Sequence, residues 1–285
     1  GIDTDHQSFA ADAFAYSLSR QAELHEIPAD EYTNGLNLLG PEEIAEKLGL
    51  LNISGANAQQ LYVNSKIPFG YNYIDKDLDI THDHDTAGEH GSHVEGIAAA
   101  NAFLSNGDGS FSPALEAVKV QGVAPDAQII TMKVFGKNGG AYDSDYMAAI
   151  EDAILLGCDS VNMSLGSTLA GESRSETYAE LLDSLTKTDT VLVTSMGNNG
   201  YWAQYADPKE HLFVEDVNFH TGGSPGSYTN TLTVASVDND GLVGNTFAVA
   251  GKDFVYMETL YRNTPFLTLN TNGEAGTTYD YVMID

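Results

Sequence analysis

Cysteine is nearly absent. Cys158 is the single thiol in 285 residues, which excludes an internal disulfide, and its apolar neighbours predict an inert buried side chain. Basic residues are scarce as well: twelve Lys and Arg stand against forty-one Asp and Glu, for a net charge of −29. That balance opposes the phosphate contacts needed to bind nucleic acid or an anionic membrane, so neither is an expected partner. No apolar run reaches the roughly 18 residues of a membrane-spanning helix, so no membrane insertion is expected, and no leader-like segment opens the chain. What remains is 42% hydrophobic and 9% aromatic, the make-up of a globular protein whose acids are solvated surface. The length suits one large α/β domain or two small ones.

The stretch that carries chemistry is Glu89-His90-Gly91-Ser92-His93-Val94-Glu95-Gly96, which runs into Ile97-Ala98-Ala99-Ala100. A histidine leading an Ala-rich run is expected at a helix N-terminus, with small neighbours that let a reacting group approach. Imidazole takes and returns a proton at neutral pH and so serves as general base beside a hydroxyl nucleophile; the competing reading is a buried structural histidine. His82, His84, His90 and His93 fall within twelve residues and raise zinc as a rival, but HxxH is a weak signal and the HExxH of zinc hydrolases is absent. The preceding acidic loop, Asp75 to Asp85, starts with the Asp75, Asp77, Asp79 alternation of a calcium loop. It then has Ile80 where the EF-hand needs Gly and Thr86 where it needs Glu, so an EF-hand is rejected, while structural calcium on these hard oxygens stays open.

Residues 7 to about 66 read as a helical insertion without chemistry, with Gly40-Pro41-Glu42-Glu43 and Gly49 bracketing a surface helix over 41–48. Phe69 to Asp75 reads as a strand. From residue 120 the pattern alternates: strand Ala127 to Phe135, helix Ser144 to Leu156, strand Ser160 to Leu165, helix Glu172 to Thr186, strand Thr190 to Met196. Apolar strands in that alternation predict a parallel sheet with helices on both faces and functional groups at its carboxyl edge, where His90, Ser164 and Asn198 would meet. Gly222-Gly223-Ser224-Pro225-Gly226 matches the G-x-S-x-G nucleophile elbow in letters only. Pro225 has no N–H to give an oxyanion, and a strand, Thr231 to Val237, follows where a helix is required.

In combination these segments resemble the subtilisin-like serine proteases. His90 to Gly96 is similar to their HGTHVAG motif, with Ser92 for Thr and Glu95 for Ala. On that match His90 is the catalytic base and His93 faces the helix interior. Gly1-Ile2 and His6 match the end of the D-[ST]-G-[IV]-x-x-x-H pattern, which places the catalytic aspartate just before Gly1 and leaves Asp3 and Asp5 as loop carboxylates. Gly122-Val123-Ala124-Pro125, Met132-Lys133-Val134 and Val161-Asn162-Met163-Ser164-Leu165-Gly166 follow in the family order. The resemblance implies that Gly139, Gly140 and Ala141 together with Ser164, Leu165 and Gly166 pair with a substrate's backbone. By themselves Gly139 and Gly140 read equally well as an ordinary turn. It implies further that Asn198, in Ser195-Met196-Gly197-Asn198, donates to the oxyanion.

The serine motif G-T-S-M-A-x-P occurs nowhere in the chain. In cell-envelope proteinases of Gram-positive bacteria an inserted protease-associated domain separates the Asn from that serine, and residues 241–285, with short strands and Gly and Asn turns, resemble its start. The expected organisation is thus a partial catalytic domain over 1–240 and the start of a mostly β inserted domain over 241–285. The expected protein is an extracellular or cell-wall serine endopeptidase acting on extended polypeptides, with no cofactor required for chemistry. Its rival is a non-catalytic, peptide-binding or adhesive relative on the same scaffold.

Overall fold

The structure is a computed structural model that describes residues 1–86, 88–170, 176–198, 222–228, 230–237, 245–249, 251–256, 260–261 and 264–265. Two compact units divide it at 235/236. The first opens with a 3-10 turn, Gln7–Phe9, and helix α1, Ala11–Leu24, whose buried residues Ala13, Phe14, Ser17, Leu18 and Ala22 recur at helical spacing. Helices α2, Ala29–Gly35, and α3, Pro41–Lys47, follow; α3 starts with Pro at its first turn and Glu43 accepting the Gly40 N–H at 3.0 Å. Its Ile44 is fully buried, so the expected surface helix carries one anchor. Helix α4, Ala58–Leu61, is boxed by reciprocal bonds between Asn57 and Gln60.

The chain then forms β1, Phe69–Asn72; α5, His90–Ala99; the hairpin β2, Phe103–Ser105, and β3, Phe111–Pro113; the short α6, Ala114–Ala117; β4, Ile130–Lys133; and α7, Asp143–Leu156. Asp143 and Asp145 suit the positive end of α7. Gly157, at φ +87°, ends it, with the Cys158 N–H bonded back to Ala153. After these come β5, Ser160–Met163; β6, Ser167–Ala170; α8, Glu176–Leu185; β7, Val191–Ser195; β8, Gly223–Ser224; and β9, Leu232–Val234.

Parallel pairing is present, as the alternation predicts, but in two small sheets. β1 pairs with β4, and β5 with β7 and β7 with β9. Among the described residues β4 and β5 each have a ladder on one side only. Among the described residues the expected parallel sheet, incomplete in that expectation, stands as two pieces; each ladder is four residues or fewer, so the ends of the apolar runs over 127–135 and 160–165 pass into connecting loops. Helix α7 contributes to a core on each sheet, Ala149 and Leu156 packing with Phe69, Tyr71 and Tyr73, and Ile150 with Met163, Leu182 and Leu192.

The helical region over 7–66 is stitched into the first unit rather than appended to it. The loop 125–128 is the hub. Asp126 accepts from Ser17 and from Gln21 on α1, Gln128 bonds Leu39 through both N–H and C=O, and Lys66 donates to Pro125 and Ala127 at 2.7 and 2.6 Å. A second tie is Asp152 on α7, wholly buried, which accepts from Tyr73 at 2.8 Å and from the backbone and side chain of Asn52.

The second unit contains the antiparallel pair β10, Asn245–Val249, and β11, Lys252–Tyr256, with Gly251 just before β11 at φ +78°. The pair β12, Leu260–Tyr261, and β13, Thr264–Pro265, follows. Among the described residues no helix is long and apolar enough to cross a membrane.

Candidate active site

His90 is the first residue of α5 and is exposed. What fixes this helix is its inner face. Gly91 meets the chain start so closely that a Cβ would lie 2.3 Å from the Gly1 carbonyl oxygen, and Ser92 Oγ accepts the Asp3 N–H at 2.7 Å. One turn on, both carboxyl oxygens of Glu95 lie 3.1 Å from Thr131 Oγ1 of β4, and Ala99 is buried. Gly91, Ser92, Glu95 and Ala99 thus define the side that packs. The expectation that His93 faces inward is corrected: it is exposed, because helical phase turns it away from that seat.

Beside Glu95, Lys133 of β4 donates to Asp85 at 2.9 Å and to the Thr81 carbonyl at 2.8 Å, and the two charged side chains are 4% and 6% exposed. The Gly1 amine lies 3.6 Å from Asp85, and burial lowers its pKa from the ordinary value. Burial likewise pushes the Glu95 carboxyl up to about 7, against the Thr131 hydrogen bond and the Gly1 amine. Glu95 stands out in sequence only as a departure from the histidine motif and Asp85 not at all, but a Lys inside an apolar strand is a signal that a buried partner exists.

The remaining site residues fall at carboxyl ends of parallel strands, in two groups. Gly139, Gly140 and Ala141 turn between β4 and α7, where Gly136 N–H bonds Gly140 O at 2.9 Å and Gly139 sits at φ +79°. Thr86, on the way to His90, donates its N–H to Lys137 O at 2.8 Å, which ties this turn to the loop that leads into α5. In the other sheet, Ser164, Leu165 and Gly166 leave β5 beside the end of β7, and Ser195 Oγ donates to Leu165 O at 3.3 Å. Asn198 lies exposed just past β7, after Gly197 at φ +98°. Gly166 is required by space, since a Cβ there would come 2.9 Å from Ser224 O. Ser224 itself lies in β8, antiparallel to β6, and β9 follows it, so it has no helix of a nucleophile elbow behind it. Asn199 and Gly200 lie outside the described residues.

The acidic loop uses its carboxylates on its own turns. Asp79 accepts from the Thr81 hydroxyl and N–H, which holds its pKa below the ordinary value, and lies 3.0 Å from His84 Nδ1. Asp75 accepts from Asn72, and Asp77 from the Asp79 N–H. Among the described residues no three His, Cys, Asp or Glu converge as a metal would require. A cavity of about 300 Å³ lies elsewhere, between Asn52 to Ser54, Tyr71 and Tyr73 of β1 and its extension, and Ser144, Asp145 and Ala148 of α7; it is lined by none of the site residues above.

The chain is 35% identical over 188 residues to the PI-type proteinase of Lactococcus lactis subsp. cremoris, covering 64% of this chain and 9% of that protein. It is 30% identical over 223 residues to the C5a peptidase of Streptococcus pyogenes, covering 77% of this chain and 17% of that protein. Among solved structures, an S41 psychrophilic protease aligns over 51% of this chain and 38% of its own at 27% identity, with a TM-score of 0.34. The chain therefore spans less than a fifth of the curated relatives it matches. The profile of the subtilase family, Peptidase_S8, matches residues 3–279, so the chain belongs to the subtilases, a family of serine proteases.

Proposed function

We propose that this chain is the part of a serine endopeptidase that supplies the catalytic base, the oxyanion donor and the substrate-pairing strands. The carrying observation is that His90 opens a helix whose inner face is pinned to β4 and the chain start, inside a family match that runs through Asn198. In this reading a serine Oγ attacks the peptide carbonyl carbon while His90 takes its proton. Asn198 Nδ2 donates to the oxygen as it becomes an oxyanion, and His90 then returns the proton to the departing amine as the C–N bond breaks. The serine and the aspartate that orients His90 come from outside residues 1–285. Ser164 to Gly166 and Gly139 to Ala141 offer backbone groups to an extended substrate on either side, a mode that tolerates many sequences. Extracellular or cell-wall placement and polypeptide substrates belong to the same proposal.

The test is labelling with a fluorophosphonate. A protein extended at both ends to include the family's Asp and Ser motifs is expected to label and to lose labelling in His90→Ala, whereas residues 1–285 alone are expected neither to label nor to hydrolyse peptide. No labelling of the extended protein would replace this reading with the peptide-binding scaffold; labelling of the short chain at any Ser, Ser224 included, would mean the nucleophile lies elsewhere.

A further inference from the structure

Glu95 occupies the place at which the subtilisin-type histidine motif has alanine, and nothing in the proteolytic mechanism asks for a carboxyl there. Its surroundings are nonetheless built around it. The side chain leaves the inner face of α5 one turn below the contact of Gly91 with Gly1, and reaches Thr131, a buried residue of β4, with both oxygens at 3.1 Å. The charged groups that face this seat are few. β4 supplies Lys133, which donates to Asp85, and the chain start supplies the Gly1 amine, also beside Asp85, and Asp3, whose N–H is held by Ser92. The loop before the helix adds Asp85 and Glu89, the latter exposed, and α5 itself adds His90 and His93, both on its outer side. Lys133 is committed to Asp85, and the Gly1 amine, which also lies beside Asp85, is the cation that acts on Glu95.

We propose that Glu95 is a positioning residue, whose carboxyl ties the inner face of α5 to β4 through Thr131 and thereby holds His90 in place at the first turn of the helix. The proposal rests on the reading of His90 as the base. In this half-buried seat desolvation favours the neutral acid, while the Thr131 hydroxyl that donates to the carboxyl and the Gly1 amine favour the carboxylate. Ionised, it accepts more strongly from the Thr131 hydroxyl but loses the water that burial takes from it, and burial is the larger effect, so the charged form is the less stable one in this seat. Burial that pushes this group up to about 7 places the change at neutral pH. Folding binds the proton more tightly than the unfolded chain does, so the seat is firmest in mildly acidic solution and loosens as pH rises through neutrality.

The experiment is amide NMR of the 285-residue chain between about pH 5.5 and pH 8.5, in the parent, in Glu95→Gln and in Thr131→Val. Histidine titrations are common to all three and drop out of the comparison. In the parent, the amides of Gly91 and Ser92 are expected to shift together with that of Thr131 with a midpoint near pH 7. In Glu95→Gln, which keeps a neutral group of the same size, that component disappears. In Thr131→Val the component in α5 persists but its midpoint moves, because the hydroxyl partner is gone. An unchanged titration in Glu95→Gln, or a shift at Thr131 that leaves Gly91 and Ser92 unmoved, would overturn the proposal. In a protein that also carries the triad Asp and Ser, kcat/KM of the parent is expected to fall several-fold relative to Glu95→Gln above neutral pH, with KM little changed. If that protein is inactive in every form, the protease reading fails while the NMR comparison still decides the role of Glu95.

Discussion

Lys66 is the sharpest test of how the helical region is joined to the rest of the chain. Its side chain is wholly buried, its ammonium donates to the Pro125 and Ala127 carbonyls at 2.7 and 2.6 Å, and it stands 4.8 Å over the ring of Phe14. Burial pushes its pKa down from 10.5 to about 7, with Asp126 opposing. Between those values the unfolded chain keeps a proton that the folded chain has released, so stability rises with pH across the window and the gain is absent below it. At about 1.4 kcal/mol per unit, the rise from about pH 7 to about pH 9.5 amounts to about 3 kcal/mol. Lys66→Met keeps the length and places sulfur near Phe14 but has nothing to titrate. It also withdraws a donor from two buried carbonyls, a loss of about 1–3 kcal/mol each when no water replaces it. Urea titrations followed by far-UV ellipticity in parent and variant are therefore expected to diverge as pH rises, the parent gaining about 3 kcal/mol on the variant by about pH 9.5. Every other titrating group is shared and cancels. Parallel stability profiles would refute the assignment of Lys66 as a group that is charged in the unfolded chain and neutral in the folded one.

Two further outcomes follow from geometry. Gly91→Ala puts a Cβ 2.3 Å from the Gly1 carbonyl, a backbone contact that cannot yield without moving α5; a loss of about 1–3 kcal/mol is expected, read as a lowered Tm, and an unchanged Tm would show that the chain start does not seat the helix. In an extended, active protein Asn198→Ala is expected to lower kcat by about 10² to 10³ with KM nearly unchanged, the size measured for such a donor in a subtilisin; parent-like turnover would remove Asn198 from the mechanism.

Much of this architecture is legible in the sequence wherever a local rule acts alone. Pro41 with Glu43, Gly157, and the His90 run mark helix ends by their own chemistry, and α3, α5 and α7 begin or end within a residue or two of those marks. Asn198 and Ser164 could be placed at strand ends because apolar runs stop there. Contacts between distant segments carry no such mark. Lys133 finds Asp85 across 48 positions and Lys66 finds Ala127 across 61, and neither pairing follows from periodicity. The phase of α5 is the instructive miss. Gly91, Ser92, Ala98 and Ala99 are all small enough to face inward, so only the contacts with Gly1, Asp3 and Thr131 decide which side does, and they leave His93 in solvent.

β4 and β5, each paired on one side only among the described residues, give the net charge of −29 a role that composition does not reveal. A strand edge with free N–H and C=O groups is a template for another chain, and copies that add strands to one another grow without limit. Like-charged molecules resist that approach for as long as their fields extend into solution. At about 0.1 M salt the field decays over about 10 Å, and at about 1 M over about 3 Å, so added salt removes the barrier before it touches the ladders themselves. Light scattering that rises with sodium chloride at constant ellipticity is therefore expected, and scattering that stays flat would show that these edges are covered.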